Sequence, residues 1–114
     1  MNELDVEKRL QQLRLTAPRL TPARIDATII DADYHVFTKT CLTVCCLTLK
    51  NGFNVTGESA CASPENFDAE IGRKLSYQNA RNKIWQLEGY LLKDQLSKQE
   101  SGADEQAHNT ELAQ

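Results

Sequence analysis

Residues 50–66 constrain this chain more than any other stretch: Asn51-Gly52 lies between two apolar runs, and Ser63-Pro64 then opens a long helical pattern. Asn-Gly between strand-like runs signals a two-residue hairpin turn, because that turn needs positive φ at its centre. Thr40–Lys50 is rich in Thr, Val, Leu and Cys and has no Gly or Pro, and Phe53–Glu58 returns as its partner. A two-residue turn sets Leu49 opposite Asn54 and Leu47 opposite Thr56. Leu42, Val44 and Cys46 alternate with Cys45, Leu47 and Leu49, so the first strand is apolar on both faces. Such a strand is normally covered on both sides.

Ser63 as N-cap, Pro64 as first helical residue and Glu65 at the positive end of the dipole predict a helix from Pro64 to about Leu96. Phe67, Ile71 and Leu75 start an apolar stripe, which Tyr77, Ala80, Ile84, Leu87 and Leu91 continue. Each glycine in a helix costs ~1 kcal/mol against Ala. Gly72 therefore predicts close packing, and Gly89 a break or kink. Upstream, Thr21-Pro22 starts another helix, with Leu20 and Ile25 in the two positions of a hydrophobic staple. Ile25, Ile29, Ala32 and Val36 carry it towards Tyr34–Phe37. Residues 1–15 read as a short charged helix that is mobile or docks on a partner, broken before Pro18.

These elements give an α+β fold of order α-α-β-β-α: a β-hairpin packed with a long C-terminal helix and one or two N-terminal helices. The organisation is an N-terminal helical arm over 1–19, an α+β core domain over 20–98 and a disordered acidic tail over 99–114. The chain has 114 residues, enough for one domain with a modest core. Net charge is −3, so no global field favours nucleic acid or anionic membrane. The last sixteen residues hold four acidic and no basic side chains, which masks a near-neutral remainder. Residues 1–20 are too charged for a secretory h-region, and no apolar run approaches a membrane span. The expectation is a cytosolic protein with no membrane partner and reduced thiols.

Candidate chemistry is sparse. Cys41 and Cys45 on one strand face would stand ~13 Å apart, and Cys46 points the other way. That spacing does not make a zinc knuckle, and Cys61 has no neighbouring His in sequence. Asp31, Asp33 and His35 spread around the axis if they sit on a helix. Glu58, Glu65, Asp68 and Glu70 are accounted for by surface and dipole roles. No metal and no cofactor is expected. The long helix carries Arg73, Lys74, Arg81 and Lys83, interleaved with Tyr77 and Trp85, with Lys74, Gln78, Arg81 and Trp85 on one face. Basic groups beside aromatics suit phosphates and stacked bases, although Glu70 and Glu88 flank them.

The stretch LKNGFNVTGESACASPENFDAEIGRKLSYQNARNKIWQLEGYLL, residues 49–92, resembles a family of small tailed-phage proteins known by their gene-product 49 and gene-product 66 members. The NGF turn, the GESACASPENFDAEIGRK segment and NKIW followed by EGYLL carry the resemblance, and TPARIDATI fits its start. It covers roughly residues 20–92. It implies a phage or prophage origin and an accessory role in infection, and it supplies no catalytic residues.

The expected function is a non-enzymatic phage accessory protein that binds a host macromolecule in the host cytoplasm and inhibits or redirects it, in host takeover or anti-defence. Arg73, Lys74, Tyr77, Arg81, Trp85, Tyr90 and Phe53 are its interaction candidates, since aromatic and Arg side chains dominate hot spots. A homodimer is expected as well. It would form through the exposed edge of Thr40–Lys50 or a helix seam along Ile84, Leu87 and Leu91. The alternative is a nucleic-acid-binding protein using the basic and aromatic helix face. A third class is a ligand sponge or hydrolase built at a dimer interface around Glu58–Asn66.

Overall fold

A computed structural model describes residues 2–13 and 17–100. The order is α1 (Glu3–Gln12), α2 (Pro22–Ala27), β1 (Ile29–Val36), β2 (Thr43–Leu49), β3 (Asn54–Ser59), a 3-10 turn (Pro64–Asn66) and α3 (Ala69–Glu100). The class is α+β, with helices, a hairpin and a long C-terminal helix in the expected order. The sheet is three-stranded and antiparallel, in the order β1-β2-β3. The acidic tail expected over 99–114 lies outside the described residues from residue 101, and Gln99 and Glu100 end α3.

The third strand corrects the reading of residues 28–36. The second helix starts where expected: Thr21 Oγ1 accepts from the Arg24 N–H at 3.1 Å, and Leu20 packs against the core cluster that contains fully buried Ile25. It ends at Ala27, and the chain continues as β1 against β2. Ile25, Ile29, Ala32 and Val36 repeat at helical spacing, but Ala32, Tyr34 and Val36 also alternate. Ile29, Ile30, Tyr34 and Val36 are stiff or bulky at χ1 and fit a pleated strand better than a helix. Pairing with β2 decides between the two periods. It also makes β2 the central strand, so the edge of Thr40–Lys50 that was to join another chain is already taken on both sides.

The hairpin turn is longer than the Asn-Gly signal suggests. Gly52 alone in it has positive φ, at 88°. Its N–H donates to the Leu49 carbonyl at 2.8 Å, and the Leu49 N–H donates to the Phe53 carbonyl at 2.8 Å. This is a three-residue loop closed by a left-handed glycine. The register moves by one residue, pairing Leu47 with Val55 and Thr48 with Asn54. Because side chains alternate, that slip exchanges the faces of β3 and sends Val55 to the core.

One face of the sheet is covered. Thr43, Cys45, Leu47 and Leu49 of β2, with Val55 of β3, meet Gly72, Ser76, Ala80 and Ile84 of α3. The helix thus presents small residues at four-residue spacing, and its backbone lies close to β3. A Cβ on Gly57 would overlap the backbone of Ser76 and Ala80, and one on Gly72 would stand 2.7 Å from Thr43 Oγ1. Close packing at Gly72 is as expected. The consequence for the larger residues is not: Phe67, Ile71 and Leu75 are pushed to the flanks and exposed. Asp68, not Ser63, caps α3, its Oδ1 accepting from the Ile71 N–H at 3.1 Å. The helix passes Gly89 without interruption.

The opposite face carries Asp31, Asp33 and His35 of β1, Val44, Cys46 and Thr48 of β2, and Asn54, Thr56 and Glu58 of β3. The expectation of a second apolar face needing cover is therefore wrong, because polar strands flank β2 on both sides. Surplus apolar surface lies along α3 and at the hairpin tip.

Candidate functional site

Beyond Ile84, α3 buries no residue. Its following turns run past the hairpin tip and enclose a groove of about 600 Å³ with Leu49, Asn51 and Phe53 on one side and Leu87, Tyr90 and Leu91 on the other. Tyr90 is 77% exposed, Phe53 54% and Leu91 47%. Lys50 and Glu88 supply opposite charges at this groove, and Arg24 stands 3.9 Å from Glu88. Of the expected seam, Leu87 and Leu91 line the groove. Ile84 is fully buried in the chain's own core and offers a partner no surface.

A second groove, about 530 Å³, brings together Arg73, Lys74, Tyr77 and Arg81 with Glu70, Gln78 and Tyr34. Tyr34 comes from β1 and was missed because its segment read as helix; its alternation with Ala32 and Val36 was the available signal. Burial pushes the Tyr34 and Tyr77 phenols up. Arg73 and Lys74 enter none of the salt bridges found among the described residues. Lys83 lines neither of these two grooves.

Arg81 is committed elsewhere. Its Nε donates to Asp26 Oδ1 at 2.7 Å, and Nη2 donates to the Pro22 carbonyl at 3.3 Å. Nη1 and Nη2 donate to the two oxygens of Glu3 at 2.6 and 2.9 Å. Trp85 Nε1 donates to the same Glu3 carboxylate at 3.1 Å. The hydrogen bonds from Arg81 hold the Glu3 carboxyl below the ordinary carboxylate range, and Glu3 holds the guanidinium up. The face shared by Lys74, Gln78, Arg81 and Trp85 is thus divided. Trp85 lines a third groove with Leu20, Pro22, Asn82 and α1. Sequence reasoning had no means to pair residue 3 with residue 81.

The thiols of Cys41 and Cys61 meet, and hydrogen bonding between them pushes the Cys41 thiol up. They flank a space of only about 80 Å³ with Asn66 and Asp68. Asp31, Asp33 and His35 share one strand face instead of spreading around a helix. Among the described residues no group of three or more His, Cys, Asp or Glu side chains is placed to hold a metal ion. No helix among them is long and apolar enough to cross a membrane.

No curated protein and no solved structure matches the chain. A family profile does, over residues 20–96, taking in α2, the whole sheet and most of α3 and leaving α1 outside. The match spans the elements that form both the core and the Phe53–Tyr90 groove, and it covers more than half of the chain; the protein belongs to the phage protein (N4 Gp49/phage Sf6 gene 66) family.

Proposed function

We propose that this phage protein is non-enzymatic and acts in the host cytoplasm by binding a host protein and inhibiting or redirecting it. The groove between the hairpin tip and α3 supports this reading. Tyr90 at 77% exposure and Phe53 at 54% flank an apolar channel that the described residues leave unfilled. Contiguous apolar patches of that kind mark interaction sites, and rigid aromatic side chains supply large contact area at low ordering cost. The test is capture from host lysate on the immobilised full chain, beside Phe53→Ser/Tyr90→Ser. A protein held by the wild type and lost from the variant, with unchanged thermal unfolding, supports the reading. Capture that is the same for both would sink it. A second copy joined across Leu87 and Leu91 would appear as a dimer in light scattering at micromolar concentration.

Nucleic acid is the second reading, favoured by Arg73 and Lys74 standing beside Tyr34 and Tyr77. Each phosphate contact steepens the salt dependence of single-strand binding by about 0.7 in log–log slope. Arg73→Ala/Lys74→Ala is the variant to use, since Arg81 is held by Glu3 and Asp26. Salt-dependent binding to single-stranded DNA or RNA that weakens in this variant would establish it.

A further inference from the structure

We propose that Arg81 and Trp85 form a receptor for a carboxylate on an amphipathic helix. The partner is a protein helix bearing two acidic side chains four residues apart, and α1 is its in-chain occupant. The surface is separate from the Phe53–Tyr90 groove and does not depend on it.

The receptor is assembled by the core rather than by α1. Asp26 takes Arg81 Nε at 2.7 Å and the Pro22 carbonyl takes Nη2 at 3.3 Å, so α2 fixes the plane of the guanidinium. The free edge of the fork then faces out. Together with Trp85 Nε1 it offers three N–H donors converging on one carboxylate, that of Glu3. A planar fork of this kind suits a carboxylate, which accepts two parallel N–H bonds. A second clamp lies one helical turn along, where Arg19 Nη1 and Nη2 each donate to Glu7 at 2.8 Å. Glu3 and Glu7 are four residues apart, and Val6 and Leu10 share their face of α1.

α1 occupies the site at the surface, the Glu3 and Glu7 side chains keeping 31% and 15% exposure. No residue of α1 is buried, and α1 and the core together line an open groove of about 330 Å³ with Val6, Leu10, Leu20, Pro22, Asn82 and Trp85. Ion pairs at partly exposed sites hold weakly, and salt screens them. The core thus presents a pre-oriented carboxylate site and an apolar trough that α1 leaves incompletely filled. A partner helix with the same acidic spacing and bulkier apolar residues would fit better.

Trp85 is the one tryptophan of the chain, so its emission reports on the groove. The experiment uses the full chain and its Glu3→Gln/Glu7→Gln variant. The probes are a peptide of residues 2–13 and a designed helix with the pattern Glu-x-x-Leu-Glu-x-x-Leu in an Ala/Gln/Lys background. Because α1 buries no residue, the variant keeps its core and its cooperative melting. We expect its Trp85 emission to shift towards that of exposed indole, and both peptides to reverse the shift. Peptides carrying Gln in place of the two glutamates should bind at least tenfold more weakly. The wild type should also bind the acidic peptides at least tenfold more weakly, because tethered α1 competes at high effective concentration. An unchanged emission in the variant would show that the carboxylates do not hold α1, and would overturn the proposal. So would acidic and Gln peptides of equal affinity. A wild-type dimer that exchanges α1 between copies would assign the groove to a second copy and overturn it as well.

Discussion

Thr43 shows how a single atom can register the closeness of helix and sheet. It is fully buried, and among the described residues its Oγ1 is a buried polar atom with no hydrogen-bond partner. Gly72 faces it, bringing the helix near without offering a donor or acceptor. An unsatisfied buried hydroxyl carries a desolvation cost of about 1–3 kcal/mol. Thr43→Val keeps the shape and removes the hydroxyl, so it should stabilise the fold by about 1 kcal/mol. In a domain of this size that raises Tm by roughly 4–8 °C in calorimetry; a lower Tm would show that the hydroxyl has a partner. The glycines make a paired prediction. Gly57→Ala places a methyl into the backbone of Ser76 and Ala80, and overpacking of that kind costs about 1–3 kcal/mol or more. Gly89→Ala meets only Leu20 Cδ1 at 3.7 Å and should stabilise α3 by about 0.5–1 kcal/mol through helix propensity.

At the scale of elements, the start of α2 was legible in the sequence, while its end and the start of α3 were not. Thr21-Pro22 begins α2 as expected, because a side-chain cap and a Pro at the first position act locally. Where α2 ends depends on β2, twenty residues away in sequence, and no local pattern encodes that. The hairpin was legible from Asn51-Gly52 but its register was not, since two- and three-residue loops both use a glycine at this place. Ser63-Pro64 reads as the start of the long helix, but it begins only a 3-10 turn without a side-chain cap, and α3 waits for Asp68. Asp68→Ala should therefore cost about 1 kcal/mol, while Ser63→Ala, with no capping bond to lose, should leave the urea midpoint unmoved. The arm adds a pH prediction. Arg81 holds Glu3, and Arg19 holds Glu7, below the ordinary carboxyl value of 4.5. A carboxyl depressed on docking contributes fully above that value and loses its contribution as pH falls through the lowered one. Trp85 emission should stay flat from neutral pH to about pH 5 and change only below the ordinary carboxyl range. An emission change centred near pH 6 to 7 would contradict the assignment.

For the molecule as a whole, the arrangement separates what holds the fold from what is left exposed. Sequence reasoning assigned large apolar residues to the core and found the interaction candidates by residue type. Arg73, Lys74, Tyr77, Phe53 and Tyr90 do reach grooves, because exposed basic and aromatic side chains on a long helix and a hairpin tip have few other places to go. Their division among separate grooves was not legible, since it follows from how closely α3 lies on β3 and from a third strand hidden under helical spacing. The close approach at Gly57, Gly72, Ser76 and Ala80 places Ile84 as the last fully buried residue of α3, and everything beyond it contributes surface. Two substitutions on that helix should then behave in opposite ways. Ile84→Ala removes a fully buried side chain from the core cluster and should cost about 2–5 kcal/mol in chemical denaturation. Tyr90→Ser, two turns further on and 77% exposed, should change stability by no more than about 0.5 kcal/mol and abolish capture of the groove's partner. If Tyr90→Ser instead melts the protein as Ile84→Ala does, the distal half of α3 belongs to the fold, and the Phe53–Tyr90 groove is not free to bind.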